Sequence, residues 1–145
     1  VLNQPSTQRV KDLWQHVASG ECSLDQPLCI GGPVEGPLLA VHGDAEHSER
    51  EIVPGVYFAS QRDAIEQLVE HPATPVRMFL GYSGWGEGQL EGELREGAWM
   101  TAPATADHVF FTGDDLWKEV VSNISGAVIH SRGDIKHVPP QPWHN

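Results

Sequence analysis

At 145 residues the chain is near the commonest size of one compact domain, long enough for a core that buries roughly two-thirds of the unfolded surface. Its formal net charge of −11, with nine Lys and Arg and no run of three basic residues, lacks the cationic footprint that phosphate-backbone binding needs. Direct nucleic-acid binding and attraction to anionic membranes are thereby disfavoured, and no apolar stretch approaches the ~20 residues of a membrane-spanning helix.

A first helix is expected after the turn at Pro5, capped by Ser6 or Thr7, because Val10, Leu13, Trp14 and Val17 fall at i, i+3, i+4 and i+7. Gly20 ends it, and a polar loop carrying Cys22 follows. Residues 28–30 read as a strand running into the turn Gly31-Gly32-Pro33-Val34, and residues 38–42 as another. Residues 43–51 read as a solvated acidic loop and residues 55–59 as a strand. Ser60-Gln61-Arg62-Asp63 has the form of a capping box ahead of the apolar face Ala64, Ile65, Leu68 and Val69.

Residues 76–82 read as a central strand feeding a glycine-rich loop, then a short helix with Leu90 and Leu94 on its inner face. Two further strands are expected at 98–102 and 107–111. Thr112-Gly113-Asp114-Asp115 repeats the capping-box form before a helix carrying Leu116, Trp117, Val120, Val121 and Ile124, closed by Gly126. A single domain over residues 1–125 is expected, with residues 126–145, rich in proline, as an extended tail. Helices and strands do not alternate strictly, which points to an α+β class and not to a doubly wound parallel sheet.

Four segments carry a family resemblance: Val1-Leu2-Asn3-Gln4-Pro5; Gly31-Gly32-Pro33-Val34; residues 55–68; and Leu80-Gly81-Tyr82-Ser83-Gly84-Trp85-Gly86-Glu87-Gly88-Gln89-Leu90, continued by Glu93-Leu94 through Trp99. In them the chain resembles the AlgH family of small bacterial proteins. The resemblance implies an α+β domain whose bent mixed sheet partly closes into a barrel, flanked by three or four helices. It implies a regulatory role, by the family's label of transcriptional regulator, and no established reaction. Family members usually carry a pair of strands ahead of the Leu-Asn-x-Pro element that opens this chain.

The loop 81–88 places four glycines between a predicted strand and a predicted helix, where backbone can approach a ligand closely. Its spacing matches neither a dinucleotide fingerprint nor a P-loop, and Glu87 would set a negative charge where a phosphate would sit. Gly31, Gly32 and Pro33 are expected to face the same cleft as Tyr82, Ser83, Gly84, Trp85, Gly86 and Gln89, a set suited to a flat or polar ligand. His42, Asp44, Glu46, His47 and Glu49 are ligand types for zinc or manganese, but no helical spacing sets the two histidines on one face, and no metal or cofactor is expected.

Ser83 falls in Gly81-Tyr82-Ser83-Gly84-Trp85, one position out of register with a Gly-x-Ser-x-Gly nucleophile elbow. No cation flanks Cys29 in sequence to activate its thiol. Two cysteines are too few for a disulfide framework and lack zinc spacing, so a reducing cytoplasm is the expected location. The expected function is a non-enzymatic regulatory or ligand-binding protein acting through a protein or small-molecule partner. The alternative is a hydrolase or transferase acting on a small phosphorylated or acyl substrate at a cleft lined by residues 31–34 and 81–89.

Overall fold

The computed structural model describes residues 1–18, 20–111 and 115–131. The chain divides into two compact units, Val1–Trp99 with Ala104–Phe111, and Met100–Pro103 with Thr112–Asn145. The first unit is built on six strands: β1 at Pro5–Arg9, β2 at Pro27–Ile30, β3 at Val34–His42, β4 at Arg50–Val53, β5 at Val56–Ala59 and β6 at Val76–Tyr82. They lie in the order β1-β2-β6-β3-β5-β4. Only β2 and β6 run parallel, and the other neighbours are antiparallel.

The α+β class stands, but among the described residues the sheet is open, with β1 and β4 as its edges and no closure into a barrel. Both edges are poor templates for closure. β1 starts on Pro5, which has no N–H to give, and β4 is short and exposes Arg50, Glu51 and Ile52.

Two amphipathic helices cover one face of the sheet, α1 at Val10–Val17 and α2 at Arg62–Glu70. Val10 and Trp14 from α1 and Ile65, Leu68 and Val69 from α2 join Leu28, Ala40, Ala59, Val76 and Met78 in one buried cluster. The strand period of two puts Leu38, Ala40 and His42 on this same face of β3. Removing this apolar surface from water is the main force holding the unit together.

α1 begins later than its sequence suggests. Ser6 and Thr7, read as caps, lie inside β1, where Ser6 Oγ accepts the N–H of Gln8 at 2.8 Å. Pairing of residues 5–9 with β2 wins over the local capping signal. The helix also ends before Gly20, at Val17, with the Ala18 N–H bonded to the Trp14 carbonyl.

Residues 98–105 form neither helix nor strand, and the expected strand at 107–111 is a short helix, α4 at Ala106–Phe110. Thr105 Oγ1 caps His108 N–H while His108 Nδ1 accepts the Thr105 N–H. A histidine thus fills the place usually held by Glu or Gln in a capping box.

In the second unit, α5 spans Leu116–Ser131, passing through Gly126 where the sequence suggested an end. The expected tail is therefore helical as far as Ser131. Residues 132–145 and the proposed cap at 112–114 lie outside the described residues. With α3 at Gln89–Arg95, five helices are described, against the three or four expected.

Candidate functional site

The two glycine turns do converge. Because β2 and β6 are parallel neighbours, with Cys29 opposite Phe79 and Ile30 opposite Leu80, Gly31 and Gly32 arrive beside Gly81 and Tyr82 at one end of the sheet. The Gly31 N–H donates to the Leu80 carbonyl at 2.8 Å. A Cβ on Gly31 would lie 2.1 Å from the Gly81 carbonyl oxygen, and one on Gly32 would lie 2.3 Å from the Tyr82 carbonyl carbon. The turns therefore meet backbone to backbone. Pro33, exposed, leads from this contact into β3, whose Val34 pairs with Tyr82.

Outward from that contact lies an aromatic surface. The Tyr82 ring lies close to Gly36 and Gly84, where a Cβ would come within 3.1 Å and 3.3 Å of it. Ser83, Gly84, Trp85 and Gly86 then lead to Gly88, whose φ of 72° turns the chain into α3. Gln89 ties loop to helix: its Oε1 accepts the Gly86 N–H at 3.0 Å and its Nε2 donates to Glu93 Oε1 at 3.0 Å. Glu93 Oε2 accepts the indole N–H groups of Trp99 at 2.7 Å and Trp85 at 3.1 Å. The two indoles meet edge to face, with centroids 5.9 Å apart.

Donation from Trp99, then Trp85, then Gln89 holds the Glu93 carboxyl below its usual pKa, so the clamp carries its charge at neutral pH. The rings stay open to solvent: Trp85 is 38% exposed, Trp99 49%, Tyr82 44% and Leu94 39%. No residue of α3 is buried, so the inner face expected for Leu90 and Leu94 does not exist within this helix. Glu93 and Trp99, eight and fourteen residues after Trp85, were not among the residues expected here alongside Tyr82, Trp85 and Gln89, because only the folded loop brings both indoles to one carboxylate.

Ser83 is half-buried. His16, His42, His47 and His108 are engaged with Asp12, Asp44, Asp44 and Thr105, and not with Ser83. Cys22 and Cys29 are both free thiols. Strand pairing brings Arg77 Nη2 to 3.6 Å from the buried Cys29 sulfur, a cation that the linear sequence did not reveal.

The acidic loop is used structurally. Among the described residues no group of three or more His, Cys, Asp or Glu is placed to hold a metal ion. Asp44 bonds His47 Nδ1 at 2.6 Å and the Glu46 N–H at 2.8 Å, and the His47 bond leads in lowering its pKa. Glu49 reaches across to α2, accepting the N–H groups of Ser60 and Gln61, the latter at 2.6 Å, and the Ser60 hydroxyl at 3.0 Å. It supplies the cap that Ser60 was expected to give, since the N-cap residue Gln61 makes no side-chain cap of its own.

Replacing Glu49 with Ala should therefore cost about 1 kcal/mol, read as a fall of a few degrees in the thermal midpoint. An unchanged midpoint would assign the capping elsewhere. The same N–H donors, Ser60 first, lower the Glu49 pKa, so its contribution is present above the usual carboxylate range and is lost as pH falls through the lowered value.

Comparison with known proteins places this architecture. The sequence pattern of the AlgH-like family matches residues 1–129. A UPF0301 protein of Chlorobium chlorochromatii is 35% identical over 137 residues, covering 88% of this chain and 69% of its own. One from Thioalkalivibrio sulfidiphilus is 32% identical over 144 residues, covering 94% and 77%. The solution structure of the AlgH protein from Pseudomonas aeruginosa superposes with a TM-score of 0.69 at 21% identity, over 95% of this chain and 77% of that one, and so supports the fold. On the family pattern and these relatives, the chain belongs to the AlgH-like family.

Proposed function

We propose that this protein is a non-enzymatic cytoplasmic regulator that docks a basic, amphipathic protein segment on the surface formed by Tyr82, Trp85, Leu94 and Trp99, without contacting DNA directly. The observation that carries this reading is the Glu93 clamp, which fixes two exposed indoles in place through 2.7 Å and 3.1 Å bonds. Rigid, exposed aromatic side chains are the residue types on which binding energy concentrates, and holding them in advance lowers the ordering cost of association. Glu87, Glu91 and Glu96 lie on the same segment of chain, with Arg95 as the one cation of the helix, and all four are exposed. Exposed acidic side chains on the segment that carries both tryptophans favour Lys or Arg beside apolar anchors, and they disfavour a second copy of a chain carrying −11 charges. The two free thiols fit a reducing compartment.

A designed peptide alternating Arg and Leu serves as probe, with a Glu/Leu peptide as control, followed by amide chemical shifts. The basic peptide should perturb residues 82–99, and Trp85→Ala or Trp99→Ala should weaken it by about 2 kcal/mol, roughly thirtyfold in Kd. Shifts confined to other surfaces, equal binding of the acidic peptide, or indifference to both substitutions would end this reading. Tight sequence-specific DNA binding in a gel shift at physiological salt would end it too.

A further inference from the structure

A concavity lies on the helical side of the sheet, where α1 and α2 meet β3. Its volume is about 210 Å³, with Trp14, Val17, Leu38 and Ile65 among its apolar walls and Arg62 and Glu66 among its polar ones. Trp14 and Ile65 are core residues, 3% and 4% exposed, so the floor is rigid. The Arg62 and Glu66 side chains are 72% and 33% exposed and form a rim ion pair, Nε to Oε1 at 2.7 Å.

Size narrows the occupant. An apolar cavity of about 150 Å³ admits benzene, whereas sites for drug-sized molecules begin near 300 Å³. The space fits one ring or one branched alkyl group with a few further atoms, and it is too small to enclose a nucleotide.

Rim charge narrows it further. A ligand with a lone carboxylate would draw Arg62 off Glu66 and leave that carboxylate unpaired beside it, and a lone amine would do the reverse to Arg62. A molecule with an ammonium and a carboxylate on one carbon exchanges the pair without stranding either group. The pair is exposed and screened by solvent, so opening it costs little. We propose that this pocket binds a free apolar α-amino acid, aromatic or large aliphatic, with its side chain against Trp14 and Ile65, its carboxylate on Arg62 and its ammonium on Glu66.

Amide-shift titrations with L-phenylalanine, 3-phenylpropionate and 2-phenylethylamine test it. The amino acid should give saturable shifts at residues 14–18 and 61–66 with a Kd of about 1 mM or tighter, and each single-charge analogue should bind roughly tenfold more weakly. The exposed-site double variant Arg62→Gln/Glu66→Gln should lose the same factor while keeping the wild-type melting profile. No saturable shift, shifts at other residues, or equal affinity for all three compounds would overturn the proposal.

Discussion

Gly31→Ala and Gly32→Ala should each destabilise the domain by about 3 kcal/mol or more, at the upper end of what forced overpacking costs. The cause is position, not backbone angle, since neither glycine is among those with positive φ. The new methyl of Gly31→Ala would sit 2.1 Å from the Gly81 carbonyl oxygen and 3.1 Å from its carbon. That of Gly32→Ala would meet three backbone atoms at 2.3 to 2.5 Å, those of Tyr82 and the Ser83 nitrogen. No rotamer change can clear a backbone atom, so β2 and β6 must separate where they pair, beside the buried Leu28 and Phe79.

Two controls separate crowding from other glycine effects. Gly88 has φ 72° but nothing within 4 Å of an added Cβ, so Gly88→Ala should cost only the left-handed penalty, about 1 to 2 kcal/mol. Gly86 has neither problem, its nearest contact being Gln89 Oε1 at 3.7 Å, and Gly86→Ala should be neutral or slightly stabilising. Urea unfolding of the four variants reads the order directly. A Gly32→Ala midpoint equal to that of Gly86→Ala would refute the close approach.

This contact also explains where the sequence misleads. Strands β2, β3, β5 and β6 and the apolar faces of α1 and α2 are visible in the linear pattern, because Leu28, Ala40, Ala59 and Met78 bury one face in a regular period. Gly31-Gly32 and Gly81 read equally well as room for a ligand or as room for a neighbouring backbone, and only the parallel pairing of β2 with β6 decides that the backbone fills it. β1 was hidden because Ser6 and Thr7 suit a helix start as well as an edge strand. The cap of α2 was hidden because its acceptor, Glu49, lies eleven residues before Ser60. Likewise, Glu93 looked like one more acidic residue until folding put both indoles on it.

Acidification should weaken the fold from about pH 6.5 downward, through His42. This ring is fully buried at the end of β3, opposite Val76 of β6 and Tyr57 of β5, whose ring centroid is 6.2 Å away. Its Nδ1 accepts the Asp44 N–H at 3.3 Å, which leaves the proton of the neutral ring on Nε2, buried without a protein partner among the described residues. Protonation would break the Asp44 bond and put a charge where water is excluded. Burial accordingly leads in lowering the His42 pKa from 6.5; Asp44 and Glu49 oppose that shift, and His47 adds to it.

The sign follows from proton counts. Below pH 6.5 the unfolded chain holds a proton on this imidazole and the folded chain does not, so stability falls as pH drops toward the lowered folded value. One proton allows a slope of at most about 1.4 kcal/mol per pH unit. The lowered carboxyls of Asp44, Glu49 and Glu93 act in the same direction but at lower pH, because their ordinary values are 3.8 to 4.5. A difference measurement isolates the imidazole: in denaturant unfolding from pH 7.5 to 5 (about the range of histidine titration), wild type should lose stability that His42→Phe retains. The phenyl ring keeps an aromatic of similar size against Tyr57 and removes only the titration and the Asp44 bond. Parallel profiles for the two proteins would mean that His42 titrates in the fold as it does in the unfolded chain, and the buried neutral imidazole would have to be abandoned.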